Sequence, residues 1–173
     1  LVAGMVAGAD SIDDMAVLRH GGMGRLFAAI YAPSTLGSFL RAFTFGHVRQ
    51  LDAVASRFVL ALAGLTKLVG ASTASPADKQ RPGFAFVDVD DTVIEVHGHA
   101  KQGAGFGYTK VRGMNALLAT LTTPQAAPVI VAQRLRRGAC SSPRGGKRLI
   151  ADAVTTSRRL LPARVPILVR MDS

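Results

Sequence analysis

Residues 84–90, Phe-Ala-Phe-Val-Asp-Val-Asp, constrain this chain more than any other segment. They read as a β-strand apolar enough to lie in the middle of a sheet, so the chain must supply neighbours for it. Yet the strand ends in acid. Asp88, Asp90 and Asp91 fall within four positions of a chain whose formal charge is +10. Side chains alternate along a strand, so Asp88 and Asp90 share a face while Asp91 points away or begins a turn. Two like charges on one face repel unless a cation or hydrogen-bond donors compensate them. That requirement makes the segment a candidate functional site.

The rest of the second half offers the neighbours. Val93-Ile-Glu-Val-His-Gly-His99 alternates and predicts a half-buried antiparallel strand. His97 and His99 share a face there and suit a metal, but no third ligand is evident, so exposed strand histidines are the expectation. A loop rich in glycine and basic residues follows, then β-type segments at 114–121 and 127–135. Ser142-Pro143 predicts a helix start with Pro in the first turn. Leu149, Ile150, Ala153 and Val154 mark the buried face of that helix. The sequence closes on Pro-Ile-Leu-Val-Arg-Met-Asp-Ser, a short strand ending at Asp172. A connection through a helix implies a last strand parallel to an earlier one. Placed beside residues 84–90 at the usual spacing of about 4.8 Å, it would let Asp90 and Asp172 share a divalent cation. This is the layout of a ribonuclease-H-like α/β fold, a truncated mixed sheet preceded by a small helical domain.

The first half reads as helices. Ser11 and Asp14 form a capping box, and Gly21-Gly22 stops that helix near His20. A second helix is expected after Pro33, capped by Ser34 or Thr35, with Leu36, Phe39, Leu40 and Phe43 on one face. A third runs from about His47 with Val48, Leu51, Ala55, Phe58 and Leu62 inward. The polar stretch 70–82 is the expected linker, giving a helical domain over 1–69 and a catalytic domain over 83–173.

Composition narrows the function classes. The hydrophobic share of 49% marks globular material, and the absence of Trp with few aromatics argues against a track of stacked single-stranded bases. A single cysteine, Cys140, rules out an internal disulfide and a multi-cysteine zinc site. No segment approaches the roughly 20 apolar residues that a membrane span needs, and a cytoplasmic, nucleoid-associated protein is the expectation. The start at Leu1 suggests a missing natural N-terminus. Residues 1–80 hold 7 Lys/Arg against 5 Asp/Glu, a net of +2, whereas residues 81–173 hold 14 against 6, a net of +8. A basic surface around an acidic centre suits a polyanionic substrate processed with a bound cation. Arg134, Arg136, Arg137, Arg144, Lys147 and Arg148 are the candidate phosphate contacts.

Asp-Val-Asp-Asp-Thr also fits the opening motif of haloacid-dehalogenase-like phosphatases, with Asp88 as nucleophile and Asp90 as acid/base. That family follows its first strand with a helical or cap segment and later supplies a Lys and an acidic pair. Here a β-type segment follows within two residues, and Asp152 and Asp172 stand alone.

Larger blocks of the sequence carry a more specific likeness. GADSIDDMAVLRHGGMGRLF, APSTLGSFLRAFTFGHVRQLDAVASRF, VDVDDTVIEVHGHAKQGAGFGYTKVRGMNALLATL, APVIVAQRLRRG, SPRGGKRLIADA and LVRMDS together resemble bacterial insertion-sequence transposases of the DDE type. The resemblance implies DNA cleavage and strand transfer at element ends. It also implies two divalent cations, Mg2+ or in its place Mn2+, held by two aspartates and a glutamate. It matches Asp90 to the first aspartate, with Asp88 the second choice, and Asp172 to the second aspartate. Met171 stands where the family pattern has a small residue. The glutamate is expected far beyond Asp172, so the resemblance implies the front portion of a transposase, inactive without the remainder. Double-stranded DNA is the implied partner, and a synaptic homodimer the implied assembly. A non-catalytic DNA-binding remnant is the remaining alternative.

Overall fold

A computed structural model of the chain describes residues 1–70, 83–98 and 100–171. These divide into two compact units, Leu1–Arg49 and Gln50–Ser173. Most of the expected linker, residues 71–82, lies outside the described residues, as do His99 and Asp172.

The first unit contains helix α1 (Val2–Val6), two short 3-10 helices (Asp13–Arg19 and Gly21–Arg25), helix α2 (Pro33–Arg41) and the first turn of α3 (Phe45–Leu65). The Ser11 capping box is present. The Asp14 carboxylate accepts from the Ser11 N–H at 3.1 Å and from its hydroxyl at 2.6 Å, and the Asp14 N–H donates to Ser11 Oγ at 3.3 Å. The segment it opens is a 3-10 helix rather than an α-helix. Its buried centre is small, made by Gly4, Ala9, Met15 and Leu18. Helix α2 starts at Pro33 itself, with Ala32 in the cap position and no side-chain cap, correcting the expected Ser34 or Thr35. A proline needs no partner for the N–H it lacks, so the first turn forms without help. The expected apolar stripe of α3 is not enclosed: Leu51 and Phe58 are exposed, and Val48, Ala55 and Leu62 are half-buried.

The second unit is mixed α/β. Its five-stranded sheet comprises β1 (Ala85–Glu95), β2 (Gly105–Phe106), β3 (Arg112–Thr123), β4 (Ala126–Arg137) and β5 (Ile167–Met171). β1 is central. It pairs antiparallel with β3 along one edge and parallel with β5 along the other, where Val89 faces Met171. The far edge of β3 takes β4 from Met114 onward and β2 at Arg112–Gly113. The expected pair of strands at 84–90 and 93–99 is in fact one strand, β1, running unbroken through Asp90 and Asp91 to Glu95. Its antiparallel neighbour is β3, whose twelve residues are long enough to match both halves.

Helix α4 (Gly146–Leu160) links β4 to β5 and lies across β4, β3 and β1. Alternation sends Ala85, Val87 and Val89 of β1 toward it, together with Leu117, Ala119 and Leu121 of β3. Leu149 and Ala153 of the helix complete this core, and Val131 enters from β4 at an irregularity in the β3–β4 register. Each fully buried leucine here contributes about 1.5–3 kcal/mol relative to exposure. Val69, just after α3, also packs on this core, and its carbonyl accepts from the Thr123 hydroxyl at 3.0 Å.

Candidate functional site

The three aspartates of β1 receive three different environments, and strand alternation decides which. Asp88 lies on the sheet face away from α4, opposite Arg170 of β5. The Arg170 guanidinium grips both of its oxygens, at 2.5 and 2.9 Å, and the Thr122 hydroxyl adds a contact at 3.5 Å. The same guanidinium lies 4.4 Å above the centre of the Phe86 ring, a cation–π contact. The Arg170 hydrogen bond first, then that guanidinium's charge and the Thr122 hydroxyl, hold the Asp88 carboxyl below the usual carboxylate range against the opposing effect of burial. Arg170 is raised in turn, first by the same hydrogen bond.

Asp91 turns to the α4 face, where a carboxylate among apolar side chains needs partners. It has three. Arg136 Nη2 donates to Oδ2 at 3.0 Å, Asn115 Nδ2 at 3.0 Å and the Ser142 hydroxyl at 3.2 Å. Arg136 also donates through Nε to Asn115 Oδ1 at 2.8 Å, and through Nη1 to the carbonyls of Ser142 and Arg144 at 2.8 Å each and of Ser141 at 3.3 Å. Asn115 and Arg136 are 1% and 8% exposed. This buried clamp ties β1, β3 and β4 to the turn that precedes α4.

Asp90 remains. Its side chain faces solvent, and Oδ1 accepts the Asp91 N–H at 2.8 Å. Among the described residues no cation pairs with it. It borders two recesses, one of about 390 Å³ shared with Asp88, Arg170 and Met171, the other of about 280 Å³ shared with Asp91, Tyr108, Leu117, Ser142 and Met171. Asp90 therefore suits one ligand position of a divalent cation, whereas Asp88 is engaged by Arg170. One carboxylate does not make a metal site, and Asp172, the second acid expected from the sequence, lies outside the described residues. Among the described residues no cluster of three metal-ligating side chains occurs. His97 is exposed, with Nδ1 3.9 Å from Glu95.

The six cations expected at a phosphate surface separate into groups. Arg136 is a correction: it is buried, and its donors are engaged by Asp91, Asn115 and the turn before α4. Arg134 is largely covered, at 16% side-chain exposure, and pairs with Asp152 at 3.3 Å. Arg137 is exposed but opposite Met114, on the sheet face away from α4. Arg144, Lys147 and Arg148 are exposed around the start of α4. That helix begins at Gly146, after Gly145 at φ 82°, and not at Pro143. Ser142 is not its cap; its hydroxyl is committed to Asp91.

Sequence reasoning missed Asn115, Ser142, Arg170 and Tyr108. Alternation narrows the search for the first: Asp91 shares a face with Val87 and Val89, so a partner on β3 must come from that same face, where the β1–β3 register puts Asn115. No strand period places Ser142, which lies in the turn above.

Among the described residues no helix is long and apolar enough to cross a membrane. Comparisons with family models, with curated proteins and with solved structures found no match.

Proposed function

We propose that this chain is part of a DDE-type transposase, in which residues 83–173 belong to a ribonuclease-H-like domain that cleaves phosphodiester bonds at element ends and transfers the strand to target DNA. The observation that carries the reading is Asp90, an exposed carboxylate with no cation partner among the described residues, near the middle of the central strand and beside a parallel strand reached through a helix. The strand order, with β1 between antiparallel β3 and parallel β5, is the one expected of that fold. Divalent cations bound there would neutralise charge on the phosphate and activate the attacking oxygen. Asp90 would be one ligand, and the family resemblance supplies Asp172 as another. Arg144, Lys147 and Arg148 would hold the DNA by its phosphates, so binding would weaken by about 0.9 log unit per log unit of salt for each phosphate neutralised. The continuation of β1 past Asp91 favours this reading over the phosphatase, which needs a helical or cap segment there, and so does the engagement of Asp88 by Arg170.

The test is cleavage of duplex DNA in Mg2+ or Mn2+, by the 173-residue chain and by a version extended through the glutamate that the resemblance implies. Cleavage lost in Asp90→Asn and kept in Asp88→Asn supports the proposal. Cleavage indifferent to Asp90, or none from the extended protein, rejects it. Hydrolysis of a phosphomonoester that Asp88→Asn abolishes would install the phosphatase instead.

A further inference from the structure

We propose that Tyr108 is a stacking platform for one unpaired nucleobase beside Asp90, so that the recess they share takes the frayed or single-stranded end of a DNA duplex. The inference rests on the proposed nuclease reading and deepens it by naming the form of the DNA. Position is the first support. Tyr108 lines the same recess as Asp90, Asp91, Leu117, Ser142 and Met171, yet it is 72% exposed. A large, mostly exposed aromatic face in that recess is left for a ligand.

The backbone beneath the ring is anchored. Gly105 pairs with Gly113 and Phe106 with Arg112, and the Gly138 N–H donates to the Gly103 carbonyl at 3.0 Å. A Cβ on Gly107 would collide with the Gly138 carbonyl oxygen, and one on Gly138 with the carbonyl oxygens of Gly113 and Gly105. Backbone thus lies directly on backbone, and this is why the loop is so rich in glycine. Lys110, at φ 58°, closes the turn after Tyr108, its N–H donating to the Gly107 carbonyl at 3.1 Å. The ring projects from a segment secured on both sides.

Charge selects the ligand class. From Val96 to Ala151 the chain carries no Asp/Glu, and Arg144, Lys147 and Arg148 stand exposed around the start of α4, which suits a polyanion. Stacking on an aromatic face is tolerant of sequence because every base has a π-face. The scarcity of aromatics argues against a track of stacked bases, but one ring needs only one base. An enzyme that must reach a phosphodiester at a duplex end benefits from holding the neighbouring base out of the stack.

The experiment uses the 173-residue chain with two DNA probes of the same duplex length, one blunt and one with a short 3′ overhang carrying 2-aminopurine. The wild-type protein should bind the overhang probe more tightly and quench its fluorescence. Tyr108→Ala should weaken overhang binding about 10- to 100-fold while leaving blunt-duplex affinity unchanged. Tyr108→Phe should retain both, since the ring and not the hydroxyl does the stacking. Circular dichroism controls for folding, which an exposed side chain should not affect. An unchanged preference or unchanged quenching in Tyr108→Ala overturns the inference, as does the lack of any preference in the wild type. If the preference is missing while Asp90-dependent cleavage is present, the platform falls and the nuclease reading stands. A Tyr108-dependent preference with no cleavage from the extended protein supports the platform and counts against the nuclease. Absence of DNA binding overturns both.

Discussion

The two faces of the sheet put the same chemistry to opposite uses. On the α4 face, the Asp91 side chain is 11% exposed and bound by three donors, one of them the Arg136 side chain, itself 5% exposed. On the other face, Asp88 also has an arginine partner, here held at two points, yet the Arg170 side chain is 56% exposed and water competes for every bond. Asp90, between them in sequence, shares the second face and lacks such a partner among the described residues. The difference teaches that geometry alone does not rank ion pairs. A pair in a low-dielectric interior is costly to break, because the survivor is left charged without water, whereas an exposed pair contributes little.

Substitutions on each face sharpen this contrast. The largest effect is expected from Arg136→Met, which strands the Asp91 carboxylate and releases three turn carbonyls. Urea denaturation should show a loss of about 3–5 kcal/mol. An unchanged midpoint would mean that the clamp is solvated and the contrast false. Leu149→Ala empties the centre of the same face and should cost about 2–5 kcal/mol by the same measurement. On the other face, Asp88→Asn should change stability far less at neutral pH, and added salt should shrink the difference further. Its signature is in the pH dependence. Because Arg170 holds the folded Asp88 carboxyl below its unfolded value, the stabilisation it gives is complete above the usual carboxylate range. It is lost as pH falls through that range toward the lower folded value. Thermal unfolding from neutral to acid pH should therefore fall less steeply in the variant than in the wild type. The smallest effect belongs to Leu168→Thr. Leu168 is 49% exposed opposite Phe86, and the change should stay within about 0.5 kcal/mol.

The same contrast explains what could be read in the sequence. Regular patterns were legible: the apolar 84–90 strand and the α4 face with Leu149 and Ala153 reflect local periodicity, and the parallel pairing of the last strand beside the first follows from its connection through a helix. Where an element begins was less so. Ser142-Pro143 has every mark of a helix start, yet the Ser142 hydroxyl is drawn to Asp91, 51 residues away in sequence. A tertiary hydrogen bond outcompetes a local cap there. Likewise nothing local distinguishes Arg136 from Arg137. Alternation buries the first beside Asn115 and exposes the second, and only the β3–β4 register settles which is which. The α3 stripe shows the converse, a clear apolar period with little enclosing it among the described residues.

The clamp also has a kinetic consequence. Arg136 joins Asp91 across 45 residues and Asn115 across 21, and it holds the turn before α4 only once β1, β3 and β4 are all in register. Contacts that close such long loops are late to form on the folding path. Arg136 is therefore expected to act as a latch rather than a nucleus. Its loss should leave the refolding rate nearly unchanged and appear mainly as faster unfolding, shortening the time the native sheet survives between openings.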